Sequence, residues 1–183
     1  MIAIVSGTNR PGSNTHKVAT QIEAMYRSLG VETRLLDLQE LPPELFAPEA
    51  YATKPASFAA FSDTILAADG LVIVTPEYNG SFPGVLKLFI DMLPFPESFQ
   101  SRPVCFVGLA AGIWGAIRAV EQLQAIFGYR NAHIFPERVF MPGVQKHLDE
   151  TGKLTPDIEK RLVAQTAGFV GFVERLRGNK ATP

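Results

Sequence analysis

The first loop of the chain combines hydroxyl side chains with a fixed positive charge and leads into a helix. Backbone N–H groups at a helix N-terminus are unpaired and lie at the positive end of the helix dipole, so they favour an anion. Arg10 adds a guanidinium group to this loop. The hydroxyl-bearing residues are Ser6, Thr8, Ser13 and Thr15. This combination predicts a site for a terminal monophosphate.

Two common phosphate-binding sequences do not match this loop. Gly7 and Gly12 have the spacing of the triphosphate-binding sequence G-x-x-x-x-G-K, but Ser13 stands in place of the lysine. The dinucleotide-binding sequence G-x-G-x-x-G requires a glycine where the chain has Asn9. Without that glycine, we interpret Asp37, at the end of the second predicted strand, as a solvated acid. Ser13 and its neighbours also suit helix capping alone, but capping needs one such residue rather than a cluster, so we favour phosphate binding.

A second loop follows the third apolar run and reads T-P-E-Y-N-G-S-F-P-G over residues 75–84. Its prolines and its Asn-Gly pair fix a rigid backbone that can border a planar ring, with Tyr78 as a flat apolar neighbour. A tight turn leading into a helix, with Pro83 near the first helical position, explains the same residues. Spacing alone leaves both interpretations open.

A third loop, residues 110–116, is small at most positions. Its sequence, A-A-G-I-W-G-A, would let a ring approach the backbone closely. Trp114 either closes one side of such a site or packs as an ordinary aromatic residue, and the sequence favours neither.

Short apolar runs alternate with helical patterns and position these loops. Continuous runs at Ile2–Val5, Leu71–Thr75 and Val104–Leu109 are typical of strands buried on both faces. A partly exposed strand is predicted at Glu32–Leu38 and a fifth near Ala132–Phe135. Helices are predicted after Thr15, around Phe61, over Gly84–Leu93 and Ala116–Phe127, and from about Ile158 to Leu176.

This alternation predicts a doubly wound α/β fold with a five-stranded parallel sheet in the order 2-1-3-4-5 and helices on both faces. In that order the chain reverses between strands one and three, and ligands bind outside the carboxyl ends of the strands at this point. The long segment Gln39–Pro55, with four prolines, is predicted to be a binding or contact loop.

Composition limits the partners of the chain. Its 183 residues predict one domain over residues 1–177 and a polar tail over 178–183. Lys and Arg number 17 and Asp and Glu 18, a net charge of −1 that leaves no basic field for nucleic acid or an anionic membrane. The single cysteine, Cys105, excludes an internal disulfide and is typical of a reducing compartment. With no leader and no run of about 18 apolar residues, we expect a cytoplasmic protein.

Two of these loops resemble the NADPH-dependent FMN reductase family. Residues 7–13 are similar to its G-S-x-R-x-x-S loop, and T-P-E-Y-N-G-S-F-P-G-V-L-K at residues 75–87 is similar to its T-P-E-Y-N-x-S-x-P-G-x-L-K segment. The resemblance extends from Met1 to about Phe127 and implies a flavodoxin-like fold that binds FMN.

The resemblance also implies the residues that hold FMN. Those implied for the phosphate are Ser6, Arg10, Ser13, Asn14 and Thr15, with the hydroxyl of Thr8 in the same loop. Those implied for the isoalloxazine ring are Pro76, Glu77, Tyr78 and Asn79 on one edge and Ala110 and Gly112 on the other. The chain departs from the family pattern at Gly115-Ala116, where the family has a glycine pair.

The implied activity is hydride transfer from NAD(P)H to flavin N5, followed by reduction of a small-molecule acceptor such as free flavin, a quinone, an azo compound or chromate. Because the cofactor carries this chemistry, we expect no catalytic side chain and no metal site. The alternatives are a flavodoxin-like FMN electron carrier, which would tend to be more acidic, and a receiver-like regulatory domain, which would need an aspartate cluster. The largely apolar segment Val85–Phe95 predicts a subunit interface, in a dimer or tetramer.

Overall fold

Five parallel strands form the centre of the computed structural model, which describes residues 1–178. Their order in the sheet is β2-β1-β3-β4-β5, as predicted. β1 lies between β2 and β3, and its last residue, Ser6, pairs with Asp37 on one side and Val74 on the other. The strands are β1 (Ile2–Ser6), β2 (Thr33–Asp37), β3 (Gly70–Pro76), β4 (Pro103–Ala110) and β5 (His133–Pro142). The predicted fold class is therefore confirmed.

Helices cover both faces of the sheet. Within residues 1–178 they are α1 (Asn14–Ser28), α2 (Ala59–Ala67), α3 (Gly84–Met92), α4 (Ile117–Tyr129) and α5 (Pro156–Gly178). Side chains of β1 alternate between two cores: Ala3 and Val5 pack on the side of α2, α3 and α4, whereas Ile2 and Ile4 pack on the side of α1 and α5. Coverage of both faces explains why the central strands are continuous apolar runs.

The fifth strand is longer than its sequence suggests. It continues beyond Phe135 to Pro142 and includes the exposed residues Pro136, Glu137 and Arg138. The register against β4 shifts between Val104 and Phe106. Because β5 lies at the edge of the sheet, proline and charged residues are tolerated there, and these residues hide the strand from a search for apolar runs.

The segment between β2 and α2 is not an irregular loop. Short 3-10 turns cover Leu38–Glu40, Pro43–Phe46, Pro48–Tyr51 and Ala56–Phe58. Leu41 and Leu45 are buried in the core on the α3 side, whereas Phe46 and Tyr51 are exposed. The segment was predicted to be a loop; Pro43 and Pro48 instead begin short turns, and the buried leucines show that the segment packs against the core.

The apolar residues of α3 belong largely to the core of this chain. Phe89 is buried and meets the rings of Phe58 and Phe61 edge-on at centroid distances of 6.2 and 6.3 Å. Leu88 is half-buried, and Phe95, just beyond the helix, is exposed. Most of the apolar side chains of α3 are therefore buried within this chain, and the predicted subunit interface stays a prediction.

Three smaller predictions can be compared with the structure. Cys105 is fully buried in β4, as expected of a small apolar residue, and burial raises the pKa of its thiol. In the part of the chain that the structure describes, no helix is long and apolar enough to span a bilayer. Gly178 ends α5, and the rest of the predicted tail lies outside the described residues. The assignment of one domain over residues 1–177 stays a prediction.

Candidate functional site

A cleft of about 470 Å³ opens at the carboxyl ends of β1, β3 and β4. Its volume is within the range of about 300–1,000 Å³ that is usual for small-molecule sites. It lies where the predicted strand order places a ligand. The lining residues are Arg10, Pro11, Gly12, Ser13, Asn14, Thr15, Pro76, Glu77, Tyr78, Leu109, Ala110, Ala111, Val144 and Gln145.

The start of α1 forms one end of this cleft. Ser13 is the N-cap residue, and its Oγ accepts a hydrogen bond from the backbone N–H of His16 at 3.1 Å. The backbone N–H groups of Asn14 and Thr15 have no hydrogen-bond partner within the described residues. Capping and an anion site therefore coexist here, because the cap satisfies only one of the free N–H groups of the first turn.

Ser6 and Thr8 lie beneath the first loop rather than along the cleft. Both side chains are fully buried and neither lines the cleft, although both were predicted to hold the phosphate. Thr8 Oγ1 accepts the N–H of Arg10 at 3.3 Å and shares a hydrogen bond with the Tyr78 hydroxyl at 2.9 Å. These contacts shape the first loop and join it to the second loop. Of the four hydroxyl-bearing residues predicted for the phosphate, only Ser13 and Thr15 line the cleft.

The second loop is both a tight turn and a wall of the cleft. Asn79 and Gly80 have φ values of 52° and 78°, and Tyr78 and Ser81 pair across them, as in a type I′ hairpin turn. Pro76, Glu77 and Tyr78 line the cleft as predicted. Asn79 does not, because the central position of such a turn points it into solvent.

Glu77 carries the charge of this wall. Its side chain is only 11% exposed, and Oε1 lies 3.3 Å from Nη1 of Arg118 on α4. Oε2 is buried and has no hydrogen-bond partner within the described residues. The Arg118 guanidinium also lies over the ring of Trp114, 5.1 Å from its centroid. Sequence reasoning missed Arg118, although its position four residues after Trp114, at the start of a helix, was a usable signal.

The third loop contributes less of the lining than predicted. Ala110 and Ala111 line the cleft, but Gly112 lies outside it and its carbonyl accepts the N–H of Gly143 at 3.0 Å. Gly115 and Ala116 have φ values of 58° and 70°. These two residues stand where the family has a glycine pair, and both adopt the left-handed conformation that favours glycine.

A segment after β5 was missed altogether. Val144 and Gln145 line the cleft from a 3-10 turn over Val144–Lys146. Gln21 of α1 holds the following stretch in place, since its amide donates to the carbonyl of Gly152 and accepts the N–H of Leu154. The Pro142-Gly143 pair was the available signal, but it follows a strand whose end the sequence does not mark.

Asp37 is not a solvated acid. Its Oδ2 lies 2.9 Å from Nδ1 of His16, and its Oδ1 accepts the N–H of Gln39 at 3.1 Å. Asp37 ends β2 beside the first turn of α1, and the local sequence does not show that His16 is its neighbour.

Comparisons with known proteins agree with this geometry. The description of the matching family is NADPH-dependent FMN reductase, and the match covers residues 1–146. The chain is 32% identical over 179 residues to an NAD(P)H-dependent FMN reductase of Pseudomonas aeruginosa, covering 95% of each chain. It is 35% identical over 128 residues to a quinone reductase of Escherichia coli K12, covering 67% of this chain and 68% of the other. Among solved structures, the flavoenzyme NAD(P)H:(acceptor) oxidoreductase FerB of Paracoccus denitrificans superposes with a TM-score of 0.80 at 25% identity, covering 95% of this chain and 97% of that one.

The fold, the cleft and these matches define a flavodoxin-like oxidoreductase. The chain belongs to the NADPH-dependent FMN reductase family. The expected enzyme class, with FMN as cofactor and NAD(P)H as electron donor, is confirmed at the level of this family.

The left-handed backbone at Gly115 generates the first prediction. A Cβ at this position would lie 2.9 Å from the backbone nitrogen of Pro142, at a φ of +58°, so Gly115→Ala should lower the free energy of unfolding by more than about 1 kcal/mol. Gly112→Ala is the matched control in the same loop, because its Cβ would meet no atom of the described residues within 4 Å. Urea unfolding of both variants measures the difference, and equal stabilities would contradict the argument.

The contact between Thr8 and Tyr78 generates a second prediction. Tyr78→Phe removes the hydroxyl that bridges the first two loops at 2.9 Å, so we expect a loss of about 1 kcal/mol in the free energy of unfolding. Tyr129→Phe is the control, because Tyr129 is 82% exposed and should change stability little. A Tyr78→Phe protein as stable as the Tyr129→Phe protein would show that the bridge contributes nothing.

Proposed function

We propose that this protein is an FMN-dependent NAD(P)H oxidoreductase that reduces a small-molecule acceptor: free flavin, a quinone, an azo compound or chromate. The observation that carries the proposal is a single cleft that joins free N–H groups at a helix N-terminus to a region lined by Pro76, Tyr78, Leu109, Ala110 and Val144. Bound FMN supplies the redox chemistry, accepting a hydride from NAD(P)H and passing electrons to the acceptor.

The phosphate of FMN is assigned to the start of α1. The free N–H groups of Asn14 and Thr15 support this assignment, since they can donate to phosphate oxygens at the positive end of the helix dipole. Arg10, exposed at the same end of the cleft, provides a compensating charge. Ser13 also lines this end, while Ser6 and Thr8 act from below by shaping the loop.

The isoalloxazine ring is assigned to the remainder of the cleft. Pro76, Glu77 and Tyr78 would border one edge and Ala110 the other, supported by their shared position in the lining. The buried side chains of Leu109 and Val144 exclude water from this part. Asn79 and Gly112 contribute through the loop backbone: Asn79 holds the turn, and the carbonyl of Gly112 anchors the segment after β5.

We also propose that the protein self-associates and works in the cytoplasm. Self-association is supported by exposed aromatic side chains, since Phe46, Tyr51 and Phe95 are 56%, 61% and 69% exposed. A cytoplasmic location is supported by the buried, unpaired thiol of Cys105, and cell fractionation tests it. Light scattering at micromolar concentration should give a mass that is a multiple of 20.0 kDa, and a 20.0 kDa particle would contradict the proposed assembly.

An absorption experiment tests the proposed function. The purified protein, incubated with FMN and desalted, should retain flavin absorption, and anaerobic NADPH should bleach it. Retained flavin that NADPH does not bleach would favour an electron carrier and contradict the reductase assignment. Absence of binding in a direct FMN titration would remove the proposal as a whole.

The same titration tests the phosphate assignment. Arg10→Ala should weaken FMN binding about five- to tenfold, because a charged partner of the phosphate is lost. Arg34→Ala is the matched control: Arg34 is exposed on β2 and pairs with Ala3, near the opposite end of the sheet. Equal dissociation constants for the two variants would place the phosphate elsewhere.

A further inference from the structure

Side chains from the first half of α4 contact the second loop from outside the cleft. Arg118 contacts Oε1 of Glu77, and Gln122, one turn later, accepts a hydrogen bond from the Ser81 hydroxyl at 2.5 Å and donates to the carbonyl of Gly80 at 3.3 Å. We call Arg118 and Gln122 the α4 clamp. Because these residues are four apart, they lie on the same face of the helix. They contact the second loop at Glu77, before the turn, and at Gly80 and Ser81, in the turn.

The arginine of this clamp holds a carboxylate that water barely reaches. Glu77 is 11% exposed while Arg118 is 48% exposed, so the acid is the buried member of the pair. One carboxylate oxygen faces the guanidinium, and the other is buried and has no hydrogen-bond donor among residues 1–178. A buried acceptor without a donor costs free energy, and a ligand that brings an N–H group to it would remove that cost.

We propose that Arg118 is a positioning residue, which holds Glu77 so that its second oxygen can accept an N–H group from the edge of a planar heterocycle in the cleft. The inference rests on the proposed function, which places such a ring beside Glu77. Arg118 itself does not line the cleft, so it acts through Glu77 rather than on the ligand.

Arginine suits this role better than lysine would. The face of its planar guanidinium stacks on Trp114, 5.1 Å from the ring centroid, while an N–H group at its edge donates to Glu77. A lysine would keep the charge but lose the stacking and the fixed direction of the N–H group. The exposed Trp114, whose role the sequence leaves open, is thereby explained as the surface that orients Arg118.

A double-mutant cycle on FMN affinity tests this inference. Arg118→Met keeps the apolar stem and should weaken FMN binding by apo-protein about five- to tenfold, whereas Arg118→Lys should fall between it and the unmodified protein. In a Glu77→Gln background, Arg118→Met should change the dissociation constant less than about twofold, because the group through which Arg118 acts is already altered. Quenching of flavin fluorescence gives the dissociation constants, and steady-state kinetics separates kcat from KM.

The control is Arg138→Met, an arginine that bonds Gln124 and stacks on Phe140 away from the cleft lining. It should leave FMN affinity unchanged, and urea unfolding of all apo-variants separates a folding defect from a binding defect. An Arg118→Met effect of equal size with and without Glu77 would overturn the inference, as would no effect at all. If the unmodified protein bound no FMN, the proposed function would fail first, and that result is distinct from either of these.

Discussion

β1 and β3 lie side by side, yet the helices that follow them cover opposite faces of the sheet. α1 packs on one face and α3 on the other, so the loops that lead from β1 to α1 and from β3 to α3 must diverge where the strands end. The cleft is the space they leave, which is the general reason that ligands bind at this point of doubly wound folds. Gly7 leaves no room for a side chain here, because a Cβ there would be 2.8 Å from the carbonyl oxygen of Val74.

Parting loops would be mobile if nothing joined them again, and side chains from distant elements do so. The Thr8–Tyr78 hydrogen bond joins the first two loops across 70 residues of sequence. The α4 clamp fixes the second loop, and Gln21 fixes the segment after β5 to α1. A site assembled from four segments of the chain is thus held in place before a ligand arrives, which reduces the ordering cost of binding.

The predicted site residues that line the cleft are those whose position follows from their own loop. Ser13, Asn14 and Thr15 reach the cleft because they begin a helix directly after a strand, and Pro76 because it ends one. The predicted residues that lie outside this lining depend on contacts outside their loop or on its detailed backbone. Thr8 turns inward to meet Tyr78, Gly112 is drawn to Gly143, and Asn79 sits at the tip of a turn.

The sequence by itself determined the strand order, the edge of the sheet that carries the site and the motifs of a flavin-binding family. Hydrophobic periodicity, capping and turn chemistry are local properties, and parallel connectivity leaves few topologies to choose from. Only the tertiary structure decided that the apolar residues of α3 pack in the core, that β5 extends to Pro142, and that Arg118 contacts Glu77. These features depend on side chains that are neighbours in space but distant along the chain, such as Glu77 and Arg118, which are 41 positions apart, so no local pattern encodes them.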